Sequence, residues 1–147
     1  MPLLPKPEDG PWKTALTQYE GEPLALRVRP NVNTPEARRA FPRLAVIEQE
    51  LAEVGGNGLP VSKYNLSLLS FDRDVHEFVG RDGDGIVVLV ETFSGKRTYY
   101  AYVADDARLS ARIKELRDKY PQHILNLRHG NDPEWSFYKD YRQQFPW

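Results

Sequence analysis

Asp72 and His76 stand four residues apart, the spacing that puts two side chains on one helix face, where a carboxylate can orient an imidazole as a general base. No nucleophile is placed beside them, so an ordinary helix-face pair is the preferred reading. Arg27 and Arg29 share one face of an alternating stretch, with Arg38, Arg39 and Arg43 close behind. Guanidinium groups so placed can grip a phosphate or carboxylate bidentately. Glu20, Glu22 and Glu36 are interspersed among them, which favours a solvated face. Arg97 opens the run Arg97-Thr-Tyr-Tyr-Ala-Tyr102, whose rings resemble the base-stacking aromatics of RNA-recognition sheets. That comparison fails at Thr98, where a Gly is needed, and along Glu48-Gln49-Glu50, where a ring is needed. Tyr99 and Tyr100 also face opposite sides of any strand, so packing of amphipathic rings is the better account.

The other matches are weaker. No two of the three His have close ligand spacing, and His123 and His129 lie six apart. Asp82-Gly-Asp84-Gly begins like a calcium loop but lacks the later acidic ligands. Gly95-Lys96 is preceded by Val90 where a phosphate loop needs Gly and followed by Arg97 where it needs Ser or Thr. Ser136-Phe-Tyr-Lys139 has no companion motifs of the penicillin-recognising enzymes. No catalytic residue, metal or cofactor is therefore expected.

Such residues need a scaffold, and 147 residues are enough for one domain with a sizeable core. A net charge of -1, with 40% apolar and 28% charged residues, gives no sign of a nucleic-acid partner. No apolar run approaches the roughly 20 residues of a membrane helix. The start, Met1-Pro-Leu-Leu-Pro-Lys-Pro, has no export-signal core, and there is no cysteine. The cytoplasm is the expected compartment.

A Pro-rich lead over residues 1–11 gives way to a single domain over 12–147. Residues 12–42 read as a β-hairpin turning at Gly21-Glu22-Pro23, then a short helix capped by Thr34 and stopped by Pro42. Residues 43–128 read as strand, helix, strand, strand, helix, strand. The first of these helices carries Tyr64, Leu68, Phe71, Val75 and Val79 with Ser62 as its cap, and Asp105 or Asp106 caps the second. Ser94-Gly95-Lys96 joins the middle strands. The fold class is α+β, a ferredoxin-like split βαβ antiparallel sheet preceded by the hairpin and closed by a C-terminal helix. Ile86 to Val90 is apolar throughout, so that strand must be covered on both faces. The hairpin, the C-terminus or a second subunit are the available covers.

Four stretches resemble a bacterial family of domains of unknown function, family six-ninety-five. They are Asn57-Gly58-Leu59-Pro60, Leu68-Leu69-Ser70-Phe71-Asp72, the Thr92 to Tyr102 hairpin, and Asp132-Pro133-Glu134-Trp135 with Tyr138. The resemblance implies no named activity. It implies an architecture similar to the regulator B family of ribonuclease E inhibitors. This chain has Asp72-Arg73 where the family often has Glu-Asp.

Residues 129–147 hold two of the three Trp and two of the eight Tyr, too many rings for an idle tail. Asp132 reads as N-cap and Pro133 as first turn of a helix whose Trp135 and Tyr138 clamp the sheet. The functional expectation is a non-catalytic binding or regulatory module that engages a protein partner or a second copy. The alternative is a small hydrolase or ligand-binding domain with a pocket near Asp72, His76, Arg97 and Tyr100. RNA binding through Tyr99, Tyr100 and Tyr102 ranks third. Arg27, Arg29, Asp72, His76, Arg97, Tyr100 and Tyr102 are the candidate contacts.

Overall fold

The computed structural model describes residues 12–145, and the Pro-rich lead lies outside them. Strand β1 (Lys13–Tyr19) pairs antiparallel with β2 (Glu22–Val28), Tyr19 opposite Glu22. The turn between them is Glu20-Gly21, with φ of 51° and 79°, a two-residue turn whose twist matches that of the strands. This corrects the expected Gly21-Glu22-Pro23 turn. Pro23 sits inside β2, where its missing N–H lies beyond the last β2–β4 pair, Leu24 with Phe93, so no ladder bond is lost.

Helix α1 (Pro35–Ala40) starts as expected, with Thr34 Oγ accepting from the Ala37 amide at 3.1 Å. Strand β3 (Arg43–Glu50) follows. The single helix expected after Ser62 is two, α2 (Ser62–Ser67) and α3 (Leu69–Gly80), divided at Leu68. Ser62 is the first helical residue and not a cap; Val61 occupies the cap position without a side-chain bond. Strands β4 (Gly85–Phe93) and β5 (Lys96–Val103) form the second hairpin. Asp105 accepts from Ala107 and Arg108 to start α4 (Asp106–Lys119), and β6 (Ile124–Asn131) leads to α5 (Ser136–Gln144).

The strands make one open antiparallel sheet in the order β1-β2-β4-β5-β3-β6, so the chain is α+β with six strands and five α-helices among the described residues. Helices α3 and α4 cover one face through Phe71, Val75, Ile113 and Leu116. Helices α1 and α5 cover the other through Ala37, Trp135, Tyr138 and Tyr141. Strand β4 is buried on both sides, and a register shift between Val87 and Leu89 turns Val88 and Leu89 to the same α5-side core. The C-terminal aromatics supply the second cover, while the first hairpin extends the sheet.

Gly58 explains the stretch Asn57-Gly58-Leu59-Pro60. It has φ +81°, and a Cβ there would lie 2.8 Å from Ser94 Cα. Its carbonyl accepts from the Gly95 amide at 2.8 Å, which ties the 55–60 loop to the β4–β5 turn. Gly58→Ala is expected to destabilise by about 1–3 kcal/mol in chemical denaturation. A change below a few tenths would mean that the loop does not depend on this approach.

Candidate functional site

Alternation along β2 turns Arg27 toward α3, and helical spacing turns Asp72 toward Arg27. The guanidinium makes a two-point contact with the carboxylate, NH1 to Oδ2 at 3.1 Å and NH2 to Oδ1. Tyr99, wholly buried on β5, donates its hydroxyl to Asp72 Oδ1 at 2.8 Å. Burial pushes the Asp72 carboxyl up, but donation from Arg27, its charge and the Tyr99 hydroxyl together hold it below the ordinary value. This carboxylate is a charged, fully engaged anchor.

His76 lies one turn further along, its Nε2 3.7 Å from Asp72 Oδ2, too far for a hydrogen bond. The ring meets Trp12 edge to face at 5.3 Å and Tyr99 at 6.0 Å. Desolvation takes its pKa from 6.5 to about 4, against the pull of Asp72 and with the push of Arg27 and Arg29. A neutral imidazole with so low a pKa is a weak general base at neutral pH.

Beside this cluster runs a groove of about 450 Å³ between the first hairpin and the α2–α3 junction. Leu16, Ala25, Leu68, Leu69 and Val90 give it apolar walls. Arg97 lies in it with two neutral acceptors, Thr92 Oγ at 3.0 Å from Nε and Asn65 Oδ1 at 2.9 Å from NH2, and with no carboxylate paired to it among the described residues. Leu16, 72% exposed, and Leu69, 64% exposed, stand at the rims. Among the described residues strand β1 forms the sheet edge here. Because Tyr19 and Glu22 flank a two-residue turn, Lys13, Ala15, Thr17 and Tyr19 bond to β2, and the N–H and C=O groups of Thr14, Leu16 and Gln18 face outward. The opposite edge is partly blocked, since Arg117 donates to the outward Leu125 carbonyl at 3.0 Å.

Arg27, Asp72, His76 and Arg97 thus lie on one side of the sheet, and Tyr100 and Tyr102 lie on the other, in the α5 core. The expected pocket uniting Tyr100 with Asp72 and His76 is therefore corrected by the parity of β5. Neither Tyr99 nor Tyr102 offers a face for base stacking, as both are completely buried, and Tyr100 packs at 4.7 Å on Phe137. Arg29 overturns the solvated-face reading. It is 1% exposed, with its guanidinium 4.8 Å over the Trp12 ring. The other arginines disperse: Arg43 pairs with Asp106, Arg38 bonds Asn33, and Arg39 reaches Glu36 at 3.9 Å.

Asp132, Trp135 and Tyr138 come together under the sheet. Helix α5 starts at Ser136, later than expected, because Trp135 takes the cap position in the left-handed region at φ 55°. Asp132 still serves the helix start, accepting from the Ser136 and Phe137 amides and from the Tyr102 hydroxyl at 2.7 Å. Sequence reasoning missed Trp12, Leu16, Asn65 and Thr92. Strand parity in the two hairpins is the signal that could have placed Leu16 and Thr92 on this face, whereas nothing local marks Trp12 or Asn65. Among the described residues no group of three or more His, Asp or Glu is placed to hold a metal ion, and no helix is long and apolar enough to cross a membrane.

An α+β domain with a six-stranded antiparallel sheet, covered on both faces and grooved beside its β1 edge, is the class that the structure defines. Residues 10–142 match the family described as Family of unknown function (DUF695), and the chain belongs to it. A search of curated proteins gives no significant match.

Proposed function

We propose that the protein is a non-catalytic binding module whose protein partner lays an extended segment along the β1 edge. The observation that carries this is the edge at Thr14, Leu16 and Gln18, unpaired among the described residues and set directly beside the groove. Strand addition supplies affinity through main-chain hydrogen bonds, and alternate side chains of the added strand read adjoining pockets. Leu16 offers an apolar contact at the edge, and the Arg97 charge within the groove favours a carboxylate on the incoming segment. The engaged state of Asp72 and the low basicity of His76 fit recognition better than hydrolysis.

The inner strands β4-β5-β3-β6 have the order of a split βαβ unit, with α3 and α4 on one face; this supports a ferredoxin-like core extended by the first hairpin. The resemblance to the regulator B inhibitors also favours a protein partner, and the absence of cysteine is in keeping with the cytoplasm. Affinity capture at physiological salt, with nuclease added, tests the reading. Wild-type protein is expected to retain a reproducible partner that Leu16→Asp loses roughly tenfold while its thermal midpoint is kept. Equal retention by the variant, or no partner for the wild type, would overturn it.

A further inference from the structure

A second cavity, of about 290 Å³, lies on the α5 side of the sheet, away from the groove. Six of its lining residues are aromatic: Tyr19, Phe93, Tyr100, Phe137, Tyr141 and Phe145. The rings come from β1, β4, β5 and the α5 region, with Tyr141 4.8 Å from Phe145 and 5.8 Å from Phe137, and Tyr19 5.6 Å from Phe93. Among the described residues one carboxylate, Glu91, lines this cavity. It accepts from the Tyr141 hydroxyl and has no Lys, Arg or His paired to it among the described residues. A second carboxylate, Glu48, lies on the same sheet face, opposite Thr98 as Glu91 is, and its own partner Lys96 is 3.4 Å away.

We propose that this cavity is a cation site for an alkylated ammonium group, carried by a small quaternary amine or by a methylated lysine side chain. Ring faces present negative potential and large dispersive surfaces, which suit a cation clothed in methyl groups. A carboxylate among rings is poorly solvated and gains most from a cation that can sit beside it. A bare ammonium or a metal ion fits less well. Either has a tightly held water shell to lose, and among the described lining residues Glu91 is the one anionic group to set against that loss. A quaternary ammonium has no N–H donors to leave unsatisfied. A neutral apolar guest would strip water from Glu91 without compensating its charge. The raised pKa of Glu91, caused first by burial and then by Glu48 against the Tyr141 hydroxyl, agrees with a carboxylate short of a counter-charge.

Amide chemical-shift titration of the intact protein, at constant ionic strength, tests the site with three probes. Choline and a trimethyllysine peptide are the two sources of the charged group, and 3,3-dimethylbutan-1-ol is the uncharged twin of choline. Saturable shifts at Glu91, Phe137 and Tyr141 are expected with at least one charged probe, with the neutral twin roughly tenfold or more weaker. Whichever charged probe binds more tightly identifies the source. Glu91→Gln is expected to weaken binding about tenfold, and Phe145→Leu, at a half-buried rim position, to weaken it while the fold is kept. Equal binding of the neutral twin would reduce the cavity to an apolar pocket. Absence of saturable shifts with both charged probes would remove the site altogether.

Discussion

Trp135→Ala is expected to lower the free energy of unfolding by about 3–5 kcal/mol, the range for deleting a large buried ring. The side chain is completely buried. Its ring stacks on Tyr102 at 4.2 Å and 10°, and its indole N–H donates to the Phe41 carbonyl at 2.9 Å. Truncation leaves a cavity between β5 and α5 and orphans a buried carbonyl. Trp135 also holds a left-handed backbone, but Ala keeps the Cβ that makes this conformation costly, so no backbone relief offsets the loss. Trp135→Phe is expected to fall between the two, since it keeps much of the stack but not the N–H. Urea denaturation followed by circular dichroism gives the comparison. A shift for Trp135→Ala below about 1 kcal/mol would mean that α5 does not clamp the sheet.

The elements that local pattern controls were legible in the sequence. Thr34 and Asp105 cap their helices, and the unbroken apolar run of β4 demands cover on both faces, which it has. What escaped depends on distant partners. Arg29 reads as a surface charge because nothing local announces that Trp12, across the first hairpin, supplies a ring beneath it. Strand parity puts Tyr99 and Tyr100 on opposite faces, yet which face holds Asp72 is decided by the side on which α3 packs. The start of α5 shifted because Asp132 reaches its first amides from outside the helix, through an αL residue that is neither Gly nor Asn. The Glu91 cavity needs rings from four separate elements, and periodicity along one element cannot assemble it.

Asp72 is where the largest electrostatic effect is expected. Asp72→Ala leaves Arg27 and the Tyr99 hydroxyl without their acceptor in a largely buried setting. Breaking a buried pair costs about 3–5 kcal/mol, but Arg27 keeps 32% of its side chain exposed, so screening lowers the expectation to about 2–4 kcal/mol. The same cluster sets the acid response in two windows. His76 falls from 6.5 to about 4 in the folded chain, so the unfolded chain takes up its proton first, and stability is lost as pH drops from 6.5 toward 4. That interval corresponds to about 3 kcal/mol. Asp72 is held below its ordinary 3.8, so its contribution is present above that value and is lost only as pH falls further. The groups facing His76 are Trp12 from the start of the first hairpin, Arg27 and Arg29 from β2 and its end, Tyr99 from β5 and Asp72 from its own helix. Of these only Asp72 raises its pKa, so Asp72→Asn is expected to drive it lower still, while His76→Phe should flatten the first window and, by removing a charge that helps to lower the Asp72 carboxyl, move the second toward higher pH. Imidazole resonances followed by NMR across pH 3–8 decide the matter. Titration of folded His76 near 6.5 would show the ring to be solvated and the cluster open.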